Sequence, residues 1–189
     1  MLDFENDIEQ SLQVLQQGGL ILYPTDTVWG IGCDATNENA VEKVYQLKKR
    51  PDKKAMIVLV ADERDILQYV ASPDLALFDY LQEATKPTTV IYEGAIGLAD
   101  NLVNNDGSIA IRICNEPFCK HLIKRFRKPI VSTSANISGE LTARIFADIK
   151  DQIKTGVDYV VNYRQEDKTI AAPSAVIKWN NGHLAIIRP

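Results

Sequence analysis

The stretch LILYPTDTVWGIGCDA, Leu20 to Ala35, decides how the rest of this chain is read. Leu20 to Tyr23 is an apolar run of the kind a buried strand needs, and Pro24, which has no amide hydrogen to give to a ladder, stops it. Thr25-Asp26-Thr27 is polar, and the chain turns apolar again over Val28 to Gly32, where two glycines permit unusual backbone angles. The pattern predicts a hydroxyl-rich loop interrupting a buried strand. Upstream, Ile8, Leu12 and Leu15 recur at helical spacing and Gly18-Gly19 closes the run, so a helix feeds this strand.

Working outward, Val41, Val44 and Tyr45 fall on one face of a helix expected over Asn37 to Lys49, with Pro51 preventing its continuation. Ala55 to Ala61 reads as a buried strand, and Asp62 can cap the helix after it. Further along come a helix over Asp74 to Ala84, strands at Thr88 to Tyr92 and Ser108 to Ile113, a basic helix near Phe118 to Phe126, and a strand at Pro129 to Val131. Asn181-Gly182, between Ala175 to Trp179 and Leu184 to Ile187, is a hairpin signal. Helices and strands alternate first and strands pair at the end. This predicts one α/β domain over residues 1–189, a twisted mixed sheet flanked by helices.

Composition narrows the function classes. In 189 residues, 46% are hydrophobic and 24% charged, as in ordinary globular domains. The longest apolar runs fall far short of the roughly 20 residues that cross a bilayer, so no membrane partner is expected. The acidic N-terminus, MLDFENDIEQ, lacks the pattern of an export signal, which points to the cytoplasm. Cys33, Cys114 and Cys119 are odd in number and contain no CxxC pair; they read as buried free thiols, and no metal site is expected. A net charge of −4 argues against a protein that is mainly a nucleic-acid binder, although Lys48 to Lys54 and Lys120 to Lys128 are local basic clusters. Cations near a helix C-terminus also complement its dipole, an equally good reason for Lys48 and Arg50.

Three polar stretches sit at the ends of apolar strands: Thr25 to Thr27, Ser108 with Arg112, and Ser132 to Asn136. Ligands of open α/β sheets gather at strand ends, although Ser, Thr, Asp and Asn are also ordinary turn and cap formers. Alternation places Ser108, Ala110 and Arg112 on one face, and a guanidinium there offers a planar two-pronged donor to a carboxylate or phosphate. No GxxxxGK[ST] and no G-x-S-x-G occurs. Gly30-Ile31-Gly32-Cys33-Asp34-Ala35 matches the relaxed dinucleotide fingerprint G-x-G-x-x-A, which leaves an NAD site as an alternative.

Taken together, YPTDTVWGIGCDA (Tyr23 to Ala35), LKKRP (Leu47 to Pro51), SIAIR (Ser108 to Arg112), PIVSTSANISG (Pro129 to Gly139), PSAVI and the terminal IIRP resemble the YrdC/Sua5 family. The most specific elements are the first block, the K-x-R of Lys48 and Arg50, and the S-x-N of Ser134 and Asn136. The resemblance implies a ligand cavity on a concave sheet surface. It also implies a nucleotidyltransferase that makes threonylcarbamoyl-AMP and pyrophosphate from L-threonine, bicarbonate and ATP, for N6-threonylcarbamoyladenosine modification of tRNA at position 37. By position in the family motifs, Lys48, Arg50, Lys54, Ser108, Ser134, Asn136, Thr142 and Arg188 would hold ATP, with Lys48 and Arg50 as the catalytic cations. Thr27, Arg112, Ser132 and Ser174 would hold threonine. Mg2+ is expected to come with ATP, held mostly by phosphates and water. The labile product implies a downstream tRNA threonylcarbamoyl transferase complex as partner. The alternative is an RNA-binding relative without synthase activity, contacting tRNA or duplex RNA weakly. Leu59 stands where some members carry a histidine near threonine, and Ala84 to Pro87 replaces a frequent W-P-G-P.

Overall fold

Ile21–Tyr23 (β1) and Gly30–Gly32 (β2) lie antiparallel, with Leu22 opposite Ile31. The segment read as one interrupted strand is therefore a hairpin. Pro24 ends the first arm, and the Thr25 side chain closes the connection by donating to Val28 O at 2.8 Å while accepting from Thr27 N at 3.0 Å. This computed structural model describes residues 3–50, 56–180 and 183–189. The ATP-site candidate Lys54, Ala55 at the start of the strand expected over Ala55 to Ala61, and the Asn181-Gly182 turn lie outside the described residues.

The other strands are Ile57–Val60 (β3), Thr88–Tyr92 (β4), Ile109–Ile113 (β5), Ile130–Ser134 (β6), Tyr159–Val160 (β7), Ala175–Asn180 (β8) and His183–Arg188 (β9). Among the described residues they form one twisted sheet in the order β7-β1-β2-β6-β3-β5-β4-β8-β9. It is mixed: β1 with β7, β3 with β5 and β4 with β8 are parallel, and the remaining neighbours antiparallel. The last hairpin is in place, with Asn180 paired to His183.

Helices Glu5–Gln16 (α1), Glu38–Leu47 (α2), Glu63–Tyr69 (α3), Ala76–Glu83 (α4), Pro117–Phe126 (α5) and Asp151–Lys154 (α6) complete the fold. Their ends follow local chemistry. Asn37 caps α2 by accepting from Ala40 N at 3.2 Å, and Asp62 and Asp65 make a reciprocal capping box on α3. Pro117 opens α5 where its missing N–H costs nothing. The buried core joins Ile8 and Leu15 of α1, Val41 and Val44 of α2, and Phe118 and Leu122 of α5 to Leu22, Ile31, Val58, Ile111 and Val131 of the sheet.

Strand β7 and helix α6 have no counterpart in the pattern reading. Two residues are too few to show a period. What fixes β7 is the buried carboxylate of Asp7 on α1, which accepts from Tyr159 Oη at 2.6 Å, Asn162 N at 3.0 Å and Tyr163 N at 2.8 Å. The glycines of GIGCDA are also explained by packing. A Cβ on Gly32 would come within 2.5 Å of the Tyr23 ring and 2.9 Å of Val131 O. They sit inside β2, between antiparallel neighbours, and α2 starts only at Glu38. A dinucleotide turn needs a parallel strand running through the glycines into a helix, so the NAD reading is overturned.

Candidate functional site

Register across the sheet decides which side chains share a face. Ile57 pairs with both Ser132 and Ala110, and Leu59, two residues on, pairs with both Ile130 and Arg112, while Arg112 also pairs with Thr89. Paired residues point the same way, so Ser132, Leu59, Arg112 and Thr89 stand on one face, opposite that of Val58, Ile111 and Val131. Ser174, just before β8, joins them, its Oγ 2.8 Å from Thr89 Oγ1.

On this face lies a cavity of about 260 Å3. Thr27, Arg50, Arg112, Ser132, Ser134, Thr142, Ser174 and Arg188 line it, so residues from widely separated stretches of sequence meet in one place. Arg112 is 3% exposed. Its Nη2 donates to Thr27 Oγ1 at 3.3 Å and pairs with Asp26 Oδ1 at 3.0 Å, while its buried Nε has no hydrogen-bond partner among the described residues. A buried guanidinium with a free donor is a costly arrangement unless a ligand completes it. Arg188, exposed on β9, donates to Ser174 O from Nη2 at 2.8 Å and Nε at 3.1 Å, and so braces the end of β8.

Lys48 and Asn136 stand behind the wall. The Lys48 ammonium donates to the carbonyls of Ser134 at 2.5 Å and Asn136 at 2.6 Å, and its own carbonyl accepts from Ser138 N at 2.9 Å. Burial, with a smaller push from the neighbouring Arg50, lowers its pKa to about 8. The Asn136 amide nitrogen donates to Ile137 O and Glu140 O, and its buried Oδ1 has no partner among the described residues. Ser108 is occupied away from the cavity: it donates to Asp106 at 2.6 Å and accepts from Asn104 at 2.9 Å.

Two residues that pattern reading did not single out shape the site. Asp26 holds Arg112, and Arg164 donates to Thr25 O at 3.2 Å from a left-handed backbone with φ 66°. Asp26 was visible in the sequence as part of the polar loop; nothing in spacing could pair Arg164 with it. A larger cavity of about 500 Å3, lined by Arg64, Lys86, Asn115 and Lys120 among others, opens at the ends of β3 and β5 and contains none of the predicted site residues. In the basic helix α5 Arg125 pairs with Glu5, and just beyond it Lys128 pairs with Asp34, so part of the charge of this cluster is balanced within the molecule.

The chain thus falls in the class of mixed α/β proteins whose sheet face gathers arginines and hydroxyls around one cavity. The family model for Sua5, YciO and YrdC proteins, described as telomere recombination, matches residues 13–189, and the chain belongs to this family. It is 34% identical to the threonylcarbamoyl-AMP synthase of Pseudoalteromonas translucida over 161 residues, 84% of this chain and 86% of that protein. In fold it is similar to Sua5 of P. abyssi, solved in complex with L-threonine (TM-score 0.86, 20% identity, 98% of this chain and 54% of that one). It is also similar to YciO of E. coli (TM-score 0.82, 23% identity, 97% of this chain and 88% of that one).

Proposed function

We propose that this chain is an ATP-dependent threonylcarbamoyl-AMP synthase, a single YrdC-type domain over residues 1–189 acting in the cytoplasm. The observation that carries the reading is Arg112: 3% exposed, with an Nε that has no partner among the described residues, in a cavity wall shared with the hydroxyls of Thr27, Ser132 and Ser174. A free amino acid offers what such a wall lacks, a carboxylate for the guanidinium and a side-chain hydroxyl for the serine and threonine hydroxyls. Relatives named threonylcarbamoyl-AMP synthase over most of the chain's length support threonine as that amino acid.

In this reading the amine of threonine combines with bicarbonate to give a carbamate and water. A carbamate oxygen attacks the α-phosphorus of ATP and pyrophosphate leaves. No side chain becomes covalently attached, so the protein contributes position and charge. Arg112 fixes the carboxylate. Arg50 and Arg188 face the same cavity and offset the negative charge of the triphosphate. Lys48 fixes the backbone of Ser134 and Asn136, whose motif lines the nucleotide side. Mg2+ would come with ATP and would be held mostly by phosphate oxygens and water, since Asp26, a carboxylate beside the cavity, is committed to Arg112. The anhydride product hydrolyses readily and is passed to a tRNA threonylcarbamoyl transferase complex.

Pyrophosphate release and product mass test this. Formation of threonylcarbamoyl-AMP that needs L-threonine, bicarbonate and ATP together is the expected result. Release of pyrophosphate that is unchanged when threonine or bicarbonate is left out overturns the reading.

A further inference from the structure

Three guanidinium groups line the one cavity, but they are not electrically alike. Arg112 is paired with a carboxylate, Asp26 Oδ1 at 3.0 Å. Arg188 is bonded to the neutral carbonyl of Ser174, and among the described residues no carboxylate forms an ion pair with Arg50. The cavity therefore has a neutralised arginine beside three hydroxyls and two arginines that keep their charge. A site that must take a monocarboxylate and a triphosphate together faces a sorting problem, since every phosphate oxygen is also a good partner for a buried arginine.

We infer that Asp26 is the specificity-determining residue that solves it: by holding Arg112 as an ion pair, it reserves that arginine for the amino-acid carboxylate and turns phosphate away. The inference rests on the synthase reading. Asp26 acts through Arg112 and is a positioning residue, because its Oδ1 is shut off from solvent and its Oδ2 faces the amide of Asn115 at 3.4 Å, away from the cavity. A multiply charged phosphate on Arg112 would lie against the Asp26 carboxylate and be repelled in proportion to its charge, whereas a monocarboxylate meets the smallest repulsion and still gains the free Nε donor. The burial of Arg112 makes the effect larger than it would be at a surface, where water would screen both charges. Thr27, which also accepts from Arg112, follows Asp26 directly, so one short loop sets both the charge and the orientation of the guanidinium.

The test is calorimetric binding of L-threonine to the full chain, without ATP, in the presence and absence of inorganic phosphate or pyrophosphate at constant ionic strength. In the wild type the threonine affinity is expected to be indifferent to either anion. In Asp26→Asn, an isosteric change, both anions should compete, weakening the apparent threonine affinity about tenfold or more, the worth of one charge-assisted hydrogen bond. Asp26→Glu should restore indifference. A purely structural role would lower affinity equally with and without the anions, and that result overturns the inference. So does competition by phosphate in the wild type, which decides the matter even if Asp26→Asn does not fold. Wild-type protein that binds no threonine under any of these conditions sinks the synthase reading itself, a distinct outcome.

Discussion

Lys48 and Ser134, 86 residues apart in sequence, are joined by a hydrogen bond from the lysine ammonium to the serine carbonyl. With the second bond to Asn136 O and the return bond from Ser138 N, it ties the end of α2 to the loop that follows β6. Two of the three motifs that most specify the family, the K-x-R and the S-x-N, are thus one structural unit. Lys48→Met should leave the Asn136 carbonyl without this donor and the Ser134 carbonyl with Asn136 N alone, lower stability by about 1–3 kcal/mol, and raise the KM for ATP more than that for threonine. Urea denaturation and steady-state kinetics check both; a variant with wild-type ATP kinetics removes Lys48 from the nucleotide side.

The same lysine gives a pH signature. Its folded pKa, about 8, lies below the ordinary 10.5. Between those values the unfolded chain binds more protons than the folded one, so the Lys48 contribution to stability rises with pH across that window. Activity should move the other way, because the ammonium that grips the two carbonyls loses its charge above about pH 8. ATP affinity followed from pH 7 to 10 should therefore weaken while the stability gap between wild type and Lys48→Met widens in favour of the wild type. Parallel movement of the two would contradict this assignment.

Arg112→Ala should raise the KM for threonine by about 10- to 100-fold, the loss of a charge-assisted pair, and leave the KM for ATP nearly unchanged. It also strands Asp26 beside a space no longer charged, so stability should fall, and Asp26→Asn added to it should recover part of the loss. Equal effects on both substrates would show that Arg112 is structural.

Ser174 Oγ lies 2.8 Å from Thr89, and Arg188 grips the Ser174 carbonyl. Ser174→Ala and Arg188→Ala should each impair threonine use, and the double variant should cost less than the sum, because Arg188 acts partly by fixing Ser174. Additive losses in kcat/KM would separate their roles.

Gly32→Ala tests packing alone. The added methyl would meet the Tyr23 ring, Val131 O and the Ile130 side chain, and backbone neighbours cannot yield cheaply. A loss of about 2 kcal/mol or more, measured by thermal unfolding, is expected, with substrate KM values unchanged in whatever fraction remains folded.

Local pattern by itself determined most elements of this protein. Period and punctuation placed α1, α2, α5, β4 and the terminal hairpin, because their apolar faces repeat long enough to show, and the caps of α2 and α5 are made by residues a few positions away. It also put Ser108 and Arg112 on one strand face, of which only Arg112 lines the cavity, and resemblance to the YrdC/Sua5 family supplied the remaining candidate site residues. Tertiary structure alone decided that Leu20 to Gly32 is a hairpin, that a two-residue strand is held by Asp7, and that Lys48 grips backbone instead of facing the cavity. It decided as well that Asp26 stands on Arg112. These depend on partners scores of residues away, or on which way a side chain leaves a tight turn, and the energy that settles them is that of packed, desolvated contacts that do not exist until the sheet has assembled.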